Sequence, residues 1–399
     1  MDLLFWGIFV KYLIAKLVCA YTLTDEHNLQ SALLTGYNKD LRPGIDRTYP
    51  FSVNASFVLF SIKEFDLNIG KFTITGVFQL TWYDERLSWS PASYNQTNAT
   101  SISQSKLWLP NFINTNPFED VIGLGSDLIS IRVLSSGLCN WYAIQAFEVI
   151  CGADVTKYPF DTQYCELKFF IWGYDPHEID VNFISSKVIL TLYQENGIWE
   201  ITDSTTHTYV NVYGYEEINV GFQLKRRTAY YISSLILPMI SIQLLLGFVF
   251  LLPVESGERL GFSTTILLSI VVYLTIIQEM LPEASEPNVS MLSYILVSYV
   301  VSGSFLVVLV IISLRIQNCP CSNVVPQCIA RVVIFCRKRK HNADAVEPID
   351  SKSIMDFDGD ENDKVTWIEV GRCFDIICFL ISLIQFTITG ITYMALVNP

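Results

Sequence analysis

Charged residues are scarce in this chain. They make up 16% of its 399 residues, whereas a soluble domain usually carries about a quarter. Basic side chains are the rarer sign, with 26 lysines and arginines against 39 acidic residues and a net charge of -13. This deficit disfavours a nucleic-acid-binding protein, because such proteins concentrate basic residues on one surface. With 51% apolar residues, the composition instead predicts a membrane protein.

Histidine is also rare, with four residues in the whole chain. No His-Glu-x-x-His motif, phosphate-binding glycine loop or nucleophile elbow occurs in the sequence. The sequence therefore shows no recognisable set of catalytic residues. We expect no enzymatic activity, no cofactor and no resident metal ion.

Long apolar runs, in contrast, fill the second half of the chain. Each approaches or exceeds the ~20 residues that cross a bilayer as a helix. The runs are Tyr230–Leu252, Leu260–Leu281, Met291–Leu314 and Cys373–Leu396. Two short links and one long polar connection separate them, which predicts four transmembrane helices.

The N-terminus is typical of a secretory signal peptide. An apolar core, Leu3–Val10, precedes small residues at Val18–Ala20. With an exported N-terminus, four crossings return the C-terminus to the outside and leave the long connection in the cytosol. The basic cluster Arg337–Lys340 in that connection and the acidic Glu283–Glu286 in an opposite loop agree with this orientation. We expect a multi-pass plasma-membrane protein with both termini extracellular.

Residues 21–227 follow a different pattern, in which short runs alternate apolar and polar residues. Alternation with β-branched and aromatic enrichment predicts strands. The runs are Asn54–Ile62, Lys71–Trp82, Ile129–Val133, Trp141–Val149, Glu166–Ile171 and Ile218–Lys225. They indicate an all-β sandwich, immunoglobulin-like, with about ten strands. Leucines at helical spacing within Asp25–Gly36 predict one helix before the strands.

Three Asn-x-Ser/Thr motifs fall in the same segment, at Asn54, Asn95 and Asn98. Each motif is a weak signal alone. The expected extracellular location makes all three candidate N-glycosylation sites.

Cys151 and Cys165 enclose thirteen residues that include Tyr-Pro-Phe-Asp at Tyr158–Asp161. In an oxidising compartment such a pair would form a disulfide that closes a compact loop, with ~3 kcal/mol of chain-entropy stabilisation. The loop length and its aromatic-Pro-Phe-Asp centre resemble the signature of the Cys-loop pentameric ligand-gated ion channels.

Further matches make the chain most similar to nicotinic acetylcholine receptor subunits. Trp82-Tyr83-Asp84 matches the strand tryptophan of that family, Ile171–Asp175 its binding-site tryptophan segment, and Lys225-Arg226 the residues before its first membrane helix. The resemblance implies a pentamer of identical or homologous subunits. It also implies a signal peptide (1–20), an extracellular ligand-binding sandwich (21–227), three membrane helices (228–316), a cytoplasmic loop (317–369), and a fourth helix with a short extracellular tail (370–399).

The second apolar run carries a stripe of polar and small residues. Its members recur every three to four positions and share one helical face: Glu258, Gly261, Thr265, Leu268, Val272, Thr275 and Glu279. The simpler interpretation is a helix that is buried in a bundle and tolerates a few polar groups. Two ionisable residues at the ends of such a stripe fit a water-filled pore better.

In a ring of five such helices, Leu268 and Val272 would form hydrophobic constrictions. Glu258 and Glu279 would form carboxylate rings, which concentrate cations and repel anions. The segment Glu255–Arg259 is similar to that of the cation-selective members and lacks the Pro-Ala insertion of anion channels. Cation selectivity is therefore expected.

The resemblance places a ligand between extracellular domains, where aromatic rings surround a cation. Trp172 matches the central tryptophan, although tryptophans in β-sandwiches are usually core residues. Tyr215 matches the second tyrosine of the capping loop. Tyr209 or Tyr213 matches the first, whereas an ungapped match gives His207.

Other positions depart from the nicotinic pattern. Thr115 stands where a tyrosine is expected and Val77 where a tryptophan is expected, and the capping loop has no vicinal cysteine pair. On the facing subunit, Arg132 and Tyr142 occupy the complementary strand positions, and a basic Arg132 disfavours a simple cation. Acetylcholine itself is not expected. A different amine, an anionic or zwitterionic ligand, or no agonist remain open.

The resemblance further implies that Arg226 couples the sandwich to the gate by pairing with an acidic residue. At the position of the family's glutamate this chain has Leu67. Asp66 and Asp161 are the nearest acidic residues that could take its place. Among the other cysteines, Cys139 is expected to be a buried free thiol rather than an intermolecular link.

The sequence thus predicts a subunit of a ligand-gated, cation-conducting pentamer. Its expected partners are membrane lipids, identical or homologous subunits, a small-molecule ligand and permeant cations. The alternative is a non-conducting or orphan accessory subunit that modulates other pentameric receptors. A purely adhesive protein would explain the sandwich but not the polar stripe.

Overall fold

The structure is a computed structural model. It describes residues 22–281 except 213, residues 289–319, residues 325–333 except 328 and 332, and residues 365–397. The expected signal peptide, the acidic link Glu283–Glu286 and the basic cluster Arg337–Lys340 lie outside the described residues. The chain divides into two compact units. One comprises Met1–Ala153 and Thr162–Arg227, and the other Asp154–Asp161 and Thr228–Pro399.

Within the described residues, one helix, α1 (Leu23–Leu34), precedes the strands. Thr22 and Asp25 form a capping box, in which each side chain accepts a hydrogen bond from the backbone N–H of the other residue. Leu29 and Leu33, four positions apart on one face, are buried against the sandwich. The expected helix is confirmed, and it begins two residues earlier than its hydrophobic pattern because the cap fixes its start.

Ten strands form the two sheets of the sandwich. They are β1 (Phe51–Asp66), β2 (Lys71–Tyr83), β3 (Ala99–Ser103), β4 (Phe112–Asn114), β5 (Ser130–Leu134), β6 (Leu138–Ile150), β7 (Thr162–Ile171), β8 (Ile179–Phe183), β9 (Trp199–Val210) and β10 (Glu216–Arg226). The six-stranded sheet has the order β3-β5-β6-β2-β1-β8, and the four-stranded sheet the order β4-β7-β10-β9. This confirms the predicted sandwich.

Aromatic side chains fill the space between the sheets. Phe57 and Phe78 from the six-stranded sheet meet with ring centroids 4.8 Å apart, and Phe78 meets Phe169 of the four-stranded sheet at 5.0 Å. All three rings are fully buried. Because β7 alternates buried and solvent-facing positions, burial of Phe169 directs Phe170 to the outside.

The expected disulfide is present. Cys151 at the end of β6 and Cys165 in β7 are bonded, with Cα atoms 5.4 Å apart. The bond closes the predicted loop and ties the two sheets together. Cys139 is a buried free cysteine, as expected.

Four helices in the second unit are long and apolar enough to cross a membrane. They are α2 (Ala229–Leu251), α3 (Arg259–Glu279), α4 (Met291–Gln317) and α5 (Trp367–Val397). Helix α2 contains a π-helical turn over Ile232–Ile236, directly before Pro238. The four predicted transmembrane helices are confirmed, and α5 begins six residues before the apolar run from which it was inferred.

An ion pair joins α3 to α5 at one end of this bundle. Arg259 Nη2 lies 2.9 Å from Asp375 Oδ2, and both side chains are buried. Ser313 of α4 donates a hydrogen bond to Asp375 Oδ1 at 2.5 Å, and Gln317 donates to Oδ2 at 2.8 Å. The charges are thus paired and hydrogen-bonded, as buried charges in an apolar bundle require.

Candidate functional site

A tryptophan lies exposed where β7 ends. The backbone N–H of Trp172 donates a hydrogen bond to the carbonyl of Asn111 at 2.9 Å, which holds this segment beside β4. The Trp172 side chain is 60% exposed. Phe170, two positions earlier on the same face, meets it edge to face with ring centroids 5.4 Å apart. The two rings form an aromatic wall at this end of the four-stranded sheet.

The turn between β9 and β10 brings Tyr215 to the same wall. Its ring centroid lies 6.2 Å from that of Phe170. Asn211 shapes the turn, because its backbone N–H donates to the Tyr215 carbonyl at 2.8 Å and its Oδ1 accepts from the Tyr215 N–H at 3.1 Å. The neighbouring candidate Tyr213 lies outside the described residues.

Glu217 supplies a carboxylate directly beside the aromatic wall, opposite Phe170 and Tyr209 in strand register. The Tyr209 hydroxyl donates to Glu217 Oε2 at 2.6 Å, and Asn211 Nδ2 donates to Oε1 at 2.9 Å. Burial opposes the charged form, but these hydrogen bonds and the nearby Lys168 outweigh it, so the pKa of Glu217 lies below its ordinary value. Glu217 therefore carries a negative charge at neutral pH.

Tyr209 is neutral in this arrangement. Its hydrogen bond to Glu217 is the main cause that raises the pKa of Tyr209. His207 stacks on Tyr209 with ring centroids 6.1 Å apart. Of the sequence candidates for this position, Tyr209 contacts Glu217, and Tyr213 lies outside the described residues.

The aromatic wall, Tyr215, Asn211 and Glu217 line a cleft of about 520 Å³. Four aromatic residues (Phe170, Trp172, Tyr174, Tyr215) and three acidic ones (Asp175, Glu178, Glu217) contribute to its described lining, which includes no lysine or arginine. Thr115, at the position where a tyrosine was expected, also lines it. Aromatic faces and carboxylates both attract an organic cation. Chemically, the cleft suits a positively charged ligand.

Tyr142 and Arg132 lie elsewhere, on the outer face of the six-stranded sheet. Both side chains are exposed, Tyr142 by 50%. Tyr142 borders an apolar groove of about 350 Å³, whose lining also includes Val77, Ile144 and Leu192. The structure thus does not bring these two residues to the Trp172 cleft within one chain, because they belong to a different sheet.

The stripe of α3 faces away from the helices of its own bundle. Its seven residues from Glu258 to Glu279 are all exposed, with Leu268 at 63% and Val272 at 49%. The opposite side of α3 carries its buried residues, Arg259, Ser263, Ile266, Ile270 and Ile277. Hydroxyls along the stripe are satisfied within the helix, as where Thr265 donates to the Gly261 carbonyl at 2.8 Å. A polar stripe left uncovered on an apolar helix needs water or a partner beside it.

Two family profiles match this sequence. The neurotransmitter-gated ion-channel ligand binding domain matches residues 26–228, and the neurotransmitter-gated ion-channel transmembrane region matches residues 235–338. The chain belongs to the neurotransmitter-gated ion channel family. The family consists of ligand-gated channels rather than enzymes, which agrees with the missing catalytic motifs.

Similar proteins include several acetylcholine receptor subunits. The neuronal acetylcholine receptor subunit beta-3 of Rattus norvegicus is 30% identical over 266 residues, which are 65% of this chain and 57% of that subunit. The acetylcholine receptor subunit alpha of Danio rerio is 27% identical over 332 residues, 82% of this chain and 72% of that subunit. The chain thus spans little more than half of the first relative.

The candidate residues for coupling the sandwich to the gate are Arg226, Asp66 and Asp161. Arg226 is buried, with its guanidinium 4.2 Å from the centre of the Trp199 ring. Asp66, at the end of β1, accepts a hydrogen bond from the Asn68 N–H at 2.9 Å. Asp161 is 2% exposed in the second unit. Their pairing stays a prediction.

Sequence reasoning did not select Phe170, Glu178, Asn211 or Glu217 as site residues. Two-residue alternation from Trp172 could have found Phe170, since Trp172 directly follows β7 and both residues line the cleft. Glu217 and Asn211 depend on the register between β9 and β10, which is set by the turn geometry and has no signature in the sequence.

Proposed function

We propose that the chain is a subunit of a cation-selective channel in the plasma membrane, opened by a small organic cation bound to the Trp172 cleft. Membership of the channel family supports the general activity. The observation that carries the ligand class is the composition of the cleft, which combines four aromatic rings with three carboxylates and has no basic residue among its described lining.

Protonated or quaternary amines fit this cleft best. Carboxylates attract a cation and repel an anion. A desolvated cation over an aromatic ring gains about 2 kcal/mol or more. Acetylcholine is not the ligand that we favour, because Thr115 and Val77 remove two of the aromatic rings expected around a quaternary ammonium.

The complete site is proposed to form between two subunits. The cleft and the groove beside Tyr142 lie on different sheets and are each open to solvent. In a ring of subunits, the cleft of one would face the groove and Arg132 of the next. Two half-sites on opposite sheets are the arrangement that a closed ring of like subunits needs.

The pore is proposed to be lined by the exposed stripe of α3. Glu258 and Glu279 would form carboxylate rings at its ends, with Leu268 and Val272 as the apolar constriction between them. Residues 21–227 and both termini are proposed to be extracellular and residues 317–369 cytoplasmic, with a signal peptide over residues 1–20. Arg226 is proposed to couple the two parts through Asp66 or Asp161.

An accessory, non-conducting subunit is the second candidate. It is favoured by Val77 in the lining of the groove, because this residue offers no aromatic face at the position where the nicotinic pattern has a tryptophan. Such a chain would contribute one half-site but not both. It would then need a different subunit to complete a responsive receptor.

The test is Trp172→Ala, recorded under voltage clamp with a panel of amine ligands. We expect the ligand-evoked current to be lost while the amount of chain at the cell surface is unchanged, because Trp172 lies outside the core. Tyr83→Ala is the matched control, since Tyr83 is another exposed aromatic residue (61%) but does not line the cleft. Unchanged ligand sensitivity of Trp172→Ala would remove the cleft from the mechanism.

A further inference from the structure

Asn54 lies near the start of β1, on the outer face of the six-stranded sheet. Its backbone partners are Thr81 of β2 on one side and Asn182 of β8 on the other. The row continues from Thr81 through Asn140 to Arg132. Paired residues of neighbouring strands point to the same face, so Asn54 and Arg132 belong to one polar row across the sheet.

The next rows lead directly to the apolar groove. Ser56, Gln79 and Tyr142 form the second row, and the Ser56 hydroxyl lies 3.1 Å from Gln79 Oε1. The third row contains Val58 and Val77 of the groove lining. Two residues of a strand span ~7 Å, and neighbouring strands lie ~5 Å apart. Tyr142, at the near edge of the groove, is thus about one row and two strands away from Asn54.

The same outer face has the properties of a surface that another subunit covers. Tyr142, Ile144 and Leu192 expose 50%, 48% and 63% of their side chains there. Exposed Arg132 supplies a positive charge opposite in sign to the three carboxylates of the Trp172 cleft. Complementary charge and exposed apolar area fit this face to the cleft-bearing face of a second subunit.

We propose that an N-linked glycan on Asn54 and a neighbouring subunit exclude each other from this face. Asn54 is exposed in the folded subunit, so that a glycan attached before folding fits on the single chain. A bulky, hydrated glycan one row from Tyr142 leaves no room for a second protein surface. Occupancy of Asn54 then decides which chains enter a pentamer.

The other two acceptors provide an internal comparison. Asn95 ends the short helical turn Pro91–Tyr94, and Asn98 lies just before β3; both are exposed. Asn95 Nδ2 donates to Asp25 of the N-terminal segment at 3.4 Å. Neither lies in a row of the outer face, so glycans on them are compatible with a neighbour.

The inference rests on the proposed pentamer. The outcomes of one experiment distinguish a failure of the glycan inference from a failure of the proposed pentamer. The full chain is expressed in a secretory cell, alone and with a nicotinic acetylcholine receptor subunit, and assembled chains are separated from unassembled chains by size. Enzymatic deglycosylation in heavy-oxygen water, followed by mass spectrometry, marks each asparagine that carried a glycan. We expect the mark on Asn54 in unassembled chains and its loss from pentamers, with equal marks on Asn95 and Asn98 in both pools.

The pentameric fraction of two variants provides a second test. Asn54→Gln should raise the pentameric fraction, whereas Asn95→Gln should leave it unchanged. Glycosylated Asn54 in pentamers, or unmodified Asn54 in both pools, would overturn the inference and leave the proposed channel intact. The absence of pentamers from every preparation would contradict the proposed function itself, and the inference with it.

Discussion

At the scale of single residues, Trp172 is set apart from the core tryptophans of the sandwich. Trp82, Trp108 and Trp141 are 1–3% exposed, whereas Trp172 is 60% exposed. A tryptophan so exposed gains little free energy from burial in the fold. It lines the cleft together with three carboxylates, and we expect it to contact a cationic ligand there.

Glu217 is the residue whose charge we expect to matter most for the ligand. Glu217→Gln keeps the side-chain size but removes the negative charge held between Tyr209 and Asn211. We expect the ligand concentration for half-maximal current to rise by about tenfold or more, since interactions with charged groups contribute roughly 1.5–3 kcal/mol.

The control for this change is Glu200→Gln. Glu200 is an exposed residue of β9 and lies opposite Lys225 in the strand register, at the other end of the same sheet. Because the pKa of Glu217 is depressed, its charge persists on mild acidification and is lost only as the pH falls below the ordinary glutamate range. An unchanged dose-response curve for Glu217→Gln would exclude a cationic contact there.

At the scale of helices and strands, regular hydrophobic patterns were sufficient to predict the elements that carry them. The four membrane helices and the strands β1, β2, β5, β6, β7 and β10 each overlap a predicted run. The strands β3, β4 and β8 were not predicted. Strand β4 has three residues, too few to show an alternation, and β3 carries one large apolar residue, Ile102. Strand β8 is as long as the predicted β5, and its Ile-Asp-Val-Asn-Phe alternation could have been recognised. Strand β9 is rich in serine, threonine and charged residues, and only its pairing with β10 makes it a strand.

Part of the candidate site was also predictable from the sequence. Trp172 and Tyr215 were identified through their sequence context. Glu217, Asn211 and Phe170 join them only through register and turn geometry. The outward direction of the α3 stripe agrees with the helical periodicity, because the 3.6-residue repeat separates Leu268 and Val272 from buried Ile266 and Ile270.

Helix α3 is expected to set ion selectivity through Glu258. Five such carboxylates around a narrow mouth would attract cations strongly. Glu258→Ala should lower cation conductance, especially for divalent ions, and weaken cation preference in the reversal potential. Glu279→Ala should have a smaller effect, because the opposite end is expected to be wider and better screened. Preserved selectivity and divalent conductance in Glu258→Ala would show that the filter lies elsewhere.

The buried pair Arg259–Asp375 is expected to hold the helices α3, α4 and α5 together. Asp375→Ala would leave Arg259 charged and unpaired at 4% exposure, at a cost of about 3–5 kcal/mol. The measurement is thermal unfolding of the detergent-solubilised protein. The double variant Arg259→Met/Asp375→Leu is the control and should be less destabilised than Asp375→Ala, since it removes both charges. Equal stability of Asp375→Ala and the parent would refute this role.

At the scale of the whole molecule, an acidic aromatic cleft and an outward polar stripe are features that one subunit cannot use alone. In the proposed pentamer, copies surround a common axis, with the cleft facing a neighbour and the stripe facing the centre. The scarcity of basic residues in the chain suits this arrangement, because both the proposed ligand and the permeant ion are cations.

The reversal potential of the ligand-evoked current tests this account most directly. The chain is expressed alone and with a nicotinic acetylcholine receptor subunit, and the current is recorded while external sodium or external chloride is replaced by a large impermeant ion. The account predicts that the reversal potential becomes more negative when sodium is replaced and does not move when chloride is replaced. A reversal potential that follows chloride, or the absence of any ligand-evoked current, would contradict it.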